Sequence, residues 1–196
     1  MGKTSLTGVI AVAGAAAGRR ETAPRKRLAL LDRDGTIIVD KVYLSDPDGI
    51  EFAPGAIDGL RLLRDAGFTL VLITNQSGIA RGFFDAATLA RIHDRLASML
   101  AAEGLRLEAI YFCPHSPDDG CDCRKPQPGM LRQAMHDLGF HPGEAVMIGD
   151  SDADMGAASA AGVRAVRVAG GGGSAPAGGE RDFLEAARRA RALLSA

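Results

Sequence analysis

The chain has 196 residues, enough for one domain with a full hydrophobic core. Its formal net charge of −1 excludes a broad basic surface for nucleic acid, and the lack of Trp with 5% aromatic residues weighs against base-stacking platforms. No apolar stretch is long enough to cross a bilayer, and all three cysteines fall between positions 113 and 123 with metal-ligand spacing, a usage suited to the reducing cytoplasm.

Residues 1–24 carry Lys3, a short apolar run from Leu6 to Ala13 and an Ala/Gly stretch, then Arg19, Arg20, Arg25, Lys26 and Arg27. The run is too short and too broken by Gly for a good signal peptide. The expectation is a disordered extension or a misassigned start, with the domain proper over 25–196. From there strand and helix signals alternate. Continuous apolar runs at 28–31, 68–73, 107–112, 145–148 and 163–168 read as strands buried on both faces, as in a parallel sheet. Between them lie helical patterns. One opens at Pro54-Gly55, carries Leu60, Leu63 and Arg64, and stops at Gly67. A second is capped by Asp85, carries Leu89, Ile92, Leu96, Met99 and Leu100, and stops at Gly104. A third runs from Pro128 to Gly139, and a short Ala-rich one covers 152–161. Residues 170–179 are Gly-rich and read as a flexible linker to a terminal helix over 181–194, packed through Phe183, Leu184, Ala187 and Leu194. The alternation implies a doubly wound, Rossmann-like α/β sheet, whose ligands bind at the carboxyl ends of strands.

Three chemical groupings fall at those ends. Asp32-Arg33-Asp34-Gly35-Thr36 follows the first core strand. Two carboxylates two residues apart on an extended chain repel each other unless a cation or proton lies between them. Gly35 permits a sharp turn and Thr36 can satisfy freed backbone groups. Thr74 and Asp150 close two further strands. Cys113, His115, Cys121 and Cys123 form a Cys-x-His…Cys-x-Cys set with the ligand types and spacing of a closed, structural tetrahedral zinc site. The alternatives are two unrelated thiol clusters or a redox pair. Pro114, Pro117, Gly120 and Pro126 leave no room for regular structure here, so something must hold the loop. Arg124 and Lys125 follow it directly.

In order, Asp32-x-Asp34, Thr74-Asn75, Lys125 and Gly149-Asp150-x-x-x-Asp154 resemble the four motifs of the haloacid dehalogenase (HAD) superfamily of phosphatases. The resemblance spans residues 32–154. It implies that Asp32 is the nucleophile and forms an aspartyl-phosphate. Asp34 would protonate the leaving oxygen and then deprotonate water. Mg2+ would sit between Asp32, the backbone carbonyl of Asp34, and Asp150. Thr74 and Lys125 would bind the phosphoryl oxygens. Asp154 would hold Lys125 or the metal surroundings, or simply be an acid in the first turn of its helix.

Cys-Pro-His…Cys-Asp-Cys-Arg-Lys-Pro-x-Pro-Gly-Met is similar to the D-glycero-D-manno-heptose 1,7-bisphosphate 7-phosphatases, capless enzymes of cell-surface polysaccharide synthesis, and to the related zinc-loop histidinol-phosphate phosphatases. Between Asp34 and Thr74 there is space for a loop and one helix, not for a cap domain. The resemblance implies a small phosphorylated sugar as substrate, no nucleic acid or membrane partner, and a monomer. Arg124 is the candidate for gripping a second phosphate, its alternative being a solvated loop arginine. Asp40, Lys41, Tyr43, Asn75, Gln76 and Ser77 align with segments that line the sugar. Ser151 departs from the lysine that many heptose phosphatases carry there, so a contact to substrate or to the phosphoryl group is expected to be lost or moved. Histidinol phosphate is the alternative substrate, and a catalytically silent zinc-stabilised binding module is a further reading. His93 lies between the apolar positions of its helix and reads as exposed, as do His136 and His141. Met99, Met130, Met135, Met147 and Met155 read as core filler.

Overall fold

Residues 8–11, 26–170 and 178–195 are described by the computed structural model of the chain. The strands are β1 (Gly8–Ala11), β2 (Arg27–Leu31), β3 (Phe68–Asn75), β4 (Ala109–Cys113), β5 (Ala145–Gly149) and β6 (Arg164–Arg167). The helices are α1 (Ala56–Asp65), α2 (Ala86–Ala102), α3 (Gly129–Leu138), α4 (Asp152–Ala161) and α5 (Phe183–Leu193). The strand order is β1-β4-β3-β2-β5-β6; β4 to β6 run parallel and β1 pairs antiparallel with β4.

The five expected apolar runs all form strands because both faces of the sheet are covered. Leu28 and Leu30 point to one core, with Met130, Leu131 and Ala134 of α3 and Ala157 and Ala158 of α4. Ala29 and Leu31 alternate to the other, with Leu60 and Leu63 of α1, Leu96 and Leu100 of α2, and Phe183 and Ala187 of α5. Met130, Met135 and Met147 are buried filler, as expected. Between β2 and β3 the chain holds one short 3-10 turn (Pro47–Gly49) and α1, so no cap domain is inserted.

One expectation changes. Four residues of the extension expected to be disordered form β1, in register from Gly8 opposite Phe112 to Ala11 opposite Ala109. The open edge of β4 supplies backbone partners that no local reading of residues 8–11 can reveal. The rest of 1–24, and most of the expected linker at 170–179, lie outside the described residues. Beyond that linker the Glu180 amide bonds the Arg167 carbonyl at 2.8 Å, returning the chain to the sheet before α5. Among the described residues no helix is long and apolar enough to cross a membrane.

Candidate active site

Four segments converge at the carboxyl ends of the central strands. Asp32 follows β2, and its amide bonds the Ile148 carbonyl at 2.9 Å, so β5 fixes where the carboxylate begins. Lys125, carried on the cysteine loop, reaches back with its Nζ 2.6 Å from Asp32 Oδ1, 2.6 Å from Asp154 Oδ1 and 2.8 Å from the Ile73 carbonyl. Two of the ammonium protons go to Asp32 and the Ile73 carbonyl, and Asp154 Oδ1 is held as an ion pair. Lys125 therefore braces Asp32 against Asp154, and acts on a phosphoryl group mainly through its charge.

The electrostatics follow from burial. Burial pushes the Asp32 carboxyl up, to about 8, against the pull of Lys125 and with the added push of Asp154 and Asp34. Burial alone would depress the Lys125 ammonium, but Asp32 and Asp154 hold it above the ordinary lysine value. Burial, then the charge of Asp154, raises Asp150 to about 6. One lysine thus stands among three clustered carboxylates whose oxygens lie within 4.8 Å of one another. Such an excess of buried negative charge suits a divalent cation. Asp154 is already committed: its Oδ2 accepts from the Ser151 hydroxyl at 2.5 Å and the Ser151 amide at 3.1 Å. Asp32 and Asp150 are the carboxylates left for a metal, and hard oxygen donors of this kind fit Mg2+. The Asp150 carboxylate rests against bare backbone. A side chain at Gly35, where φ is +75°, would put Cβ 2.2 Å from Asp150 Oδ2, and one at Gly170 would put it 2.7 Å away.

Asp34 projects into a separate open hollow of about 220 Å3 lined by Asp40, Val42, Tyr43, Asn75, Gln76 and Ser77, among others. The Gln76 side-chain amide is buried and donates to Asp34 Oδ2 at 3.0 Å and to the Thr74 hydroxyl at 2.8 Å. Both its donors are spent on linking these two residues. Asn75 is likewise occupied, its carboxamide donating to the Lys125 carbonyl and accepting from the Lys125 amide, each at 3.1 Å. Of the seven residues expected to line the sugar or its second phosphate, Asp40, Tyr43 and Ser77 keep free side-chain surface in this hollow. Asp40 also accepts from the Val42 amide at 2.8 Å, which shapes a turn with positive φ at Val42 and Tyr43. Lys41 is drawn off to Glu51 at 3.2 Å. Arg124 lines a different hollow, of about 180 Å3, with Ser116, Cys121, Lys125 and Gln127. It makes one bond, from Nη1 to the His115 carbonyl at 3.3 Å. The Asn75–Lys125 bonds join the two hollows.

The cysteine loop has the geometry of a metal centre. A tetrahedral zinc with bonds of about 2.3 Å to sulfur and about 2.0–2.1 Å to nitrogen sets its ligands roughly 3.5–3.8 Å apart. The sulfur separations are 3.7 Å for Cys113–Cys121, 3.4 Å for Cys113–Cys123 and 3.5 Å for Cys121–Cys123. His115 Nδ1 lies 3.5 Å from Cys113 Sγ and 3.3 Å from Cys123 Sγ. The four ligands fit a closed structural zinc and leave no position for a substrate.

Three functional features were missed in the sequence. Arg33, between the two aspartates, is 1% exposed and grips Asp34. His93 is also 1% exposed, which corrects the expectation that it faces solvent. It stands four residues after Leu89 and three before Leu96, so the helical stripe does include it, and the spacing carried that signal. Phe83 is exposed, and its ring centroid lies 4.5 Å from that of Tyr43 at the rim of the Asp34 hollow. Ser151, singled out for not being a lysine, is the N-cap of α4 and forms a reciprocal capping box with Asp154.

A HAD-hydrolase-like family model matches residues 122–191. The chain is 46% identical over 140 residues to the D-glycero-β-D-manno-heptose-1,7-bisphosphate 7-phosphatase of Yersinia pestis, covering 68% of this chain and 74% of that one. It is 44% identical over 144 residues to the same-named protein of Pseudomonas aeruginosa, covering 73% and 81%. The crystal structure of D,D-heptose 1,7-bisphosphate phosphatase from B. bronchiseptica, complexed with magnesium and phosphate, superposes with a TM-score of 0.76 at 39% identity, covering 87% of this chain and 99% of that one.

Proposed function

We propose that this chain, which belongs to the HAD-type heptose-1,7-bisphosphate 7-phosphatase family, removes the 7-phosphate of D-glycero-β-D-manno-heptose 1,7-bisphosphate. The observation that carries the reading is the buried Asp32–Lys125 pair, 2.6 Å apart, with the partly exposed Asp34 two residues on. A carboxylate braced on one oxygen by a lysine has its other oxygen free to attack phosphorus. In this reading an Asp32 oxygen bonds to phosphorus as the bond to the sugar oxygen breaks, and the departing oxygen takes its proton from Asp34. Asp34, now ionised, then removes a proton from the water that attacks the aspartyl-phosphate, and Asp32 is restored. Thr74 and the charge of Lys125 hold the phosphoryl oxygens throughout. Mg2+ held by Asp32, Asp150 and the Asp34 carbonyl would offset charge on the transferring group. Asp40, Tyr43 and Ser77 take the sugar, and Arg124 takes the phosphate that stays behind. The enzyme works as a monomer in the cytoplasm, where thiolates stay reduced for zinc.

The test is phosphate release with Mg2+ from the heptose bisphosphate and from histidinol phosphate. We expect kcat/KM at least about tenfold higher for the bisphosphate, with the 1-phosphate retained in the product. Asp32→Asn should lose about 10³-fold or more, equivalent to about 4 kcal/mol of barrier. Preference for histidinol phosphate overturns the substrate, and a fully active Asp32→Asn overturns the aspartyl-phosphate route.

A further inference from the structure

A guanidinium as buried as that of Arg33 is costly unless its donors are met. Nε lies 3.2 and 3.1 Å from the two Asp34 carboxylate oxygens, and Nη2 lies 3.0 Å from Oδ1. On the far side, Nη1 faces His93 Nε2 at 3.3 Å. Arginine offers only donors, so His93 Nε2 accepts and the ring is neutral, with its proton on Nδ1. That Nδ1 is buried with no hydrogen-bond partner. Burial first, and the Arg33 charge second, push the ring down to about 3, so it stays neutral at any working pH. A Phe, Leu or Met at position 93 would suit the apolar stripe of α2 without leaving an orphan donor, so the histidine is explained by what it does for Arg33.

Asp34 itself is about a quarter exposed, in an open hollow. Unrestrained there, its carboxylate would sample several rotamers. Two neighbours prevent this: the Arg33 fork across both oxygens, and the Gln76 amide on Oδ2. The planar fork fixes the plane of the carboxylate as well as its position, which a lysine cannot do.

We propose that Arg33, backed by His93 as a neutral acceptor, is a positioning residue that fixes the Asp34 carboxyl where it gives its proton to the departing sugar oxygen. This rests on Asp34 being that proton donor. It touches neither substrate nor metal in this role, and it acts only on the step that needs the proton. A sugar oxygen is a poor leaving group and needs it; p-nitrophenolate leaves almost unaided.

The experiment compares kcat/KM for a sugar phosphate and for p-nitrophenyl phosphate in Arg33→Lys, His93→Phe, His93→Gln and Asp34→Asn, each checked for folding by circular dichroism. Arg33→Lys keeps the charge and loses the fork. It should lower the sugar-phosphate value about 10- to 100-fold and the p-nitrophenyl value less than about threefold, with the loss in kcat and not in KM. His93→Phe should show the same pattern at about 3- to 10-fold, and His93→Gln, which restores an acceptor, should recover most of it. If Arg33→Lys does not fold, the two His93 variants carry the same test. Equal loss on both substrates, a change confined to KM, or no difference between His93→Phe and His93→Gln overturns the proposal. Asp34→Asn separates the two levels. If it is leaving-group selective and the Arg33 and His93 variants are not, positioning fails alone. If it is not selective, the acid role of Asp34 fails and the proposal with it.

Discussion

His93 titrates near 6.5 when unfolded and is pushed down to about 3 in the fold, by burial and then by Arg33. Between those values the unfolded chain binds a proton that the folded chain refuses, so stability falls as pH drops through the window from about 6.5 to about 3. The slope approaches about 1.4 kcal/mol per pH unit, giving a loss of about 2 kcal/mol between pH 8 and pH 5 from this one ring. His93→Gln has no such proton to take up. Urea unfolding at pH 8 and pH 5 should show the variant losing about 2 kcal/mol less than the wild type; equal losses would mean that His93 is not buried neutral. The residue scale is also where the sequence is legible unevenly. Asp85 was readable as a cap, and its carboxylate accepts from the Thr88 amide at 2.7 Å. His93 was misread because a polar side chain on an apolar stripe has a plausible place in solvent. Only the guanidinium of Arg33, 60 positions away, supplies the reason to bury it. Gln76 and Asn75 were legible as site residues but not in their orientation. Their amides turn inward because Thr74, Asp34 and Lys125 leave buried groups that need partners.

Among the elements, the cysteine loop has the least regular structure and the most consequence. Cys123, Arg124 and Lys125 are consecutive, so a ligand of the zinc site is two residues from the ammonium that braces Asp32. Without metal, burial pushes the Cys113 thiol up, and three sulfurs within 3.7 Å of one another lack the strong bonds that a zinc would supply. Stripping zinc with a strong chelator under reducing conditions should therefore lower kcat/KM by about tenfold or more, even with Mg2+ in excess, and zinc should restore it. Metal analysis should give one zinc per chain before treatment; a zinc-free protein of full activity would show that the loop holds Lys125 unaided. The loop's ligands were readable from residue type and spacing alone, because zinc imposes both. The strand β1 was not, because its pairing depends on the edge of a strand about a hundred residues later. Local signals sufficed for the other strands and for all five helices, where apolar runs and Gly or Asp punctuation coincide with real boundaries.

At the scale of the whole molecule, sheet order turns separate motifs into a site. β2 lies between β3 and β5, so Asp32, Thr74 and Asp150 emerge side by side although the chain separates them widely. The two cores beneath them are distinct, and on one face α1 packs against α5. That contact depends on Gly59. A Cβ there would lie 2.5 Å from Phe183 Cδ1 and 2.9 Å from the Phe183 carbonyl oxygen, and the ring is 1% exposed. Gly59→Ala would gain up to about 1 kcal/mol of helix propensity. Forcing a methyl group against a fixed carbonyl costs about 1–3 kcal/mol, because the oxygen, unlike a side chain, cannot rotate away. The packing loss should win by about 1 kcal/mol and lower the Tm by about 2–4 °C. Neither α1 nor α5 contributes a side chain to the Asp34 hollow or the Arg124 hollow, so kcat/KM below the transition should stay within about twofold of wild type. Thermal unfolding and steady-state assays on the same preparation check both halves. A Tm that rises would show that α1 and α5 can slide apart and that the propensity gain dominates. A fall in kcat/KM with an unchanged Tm would show that the α1–α5 face communicates with the strand ends, so that scaffold and site are not separable in this fold.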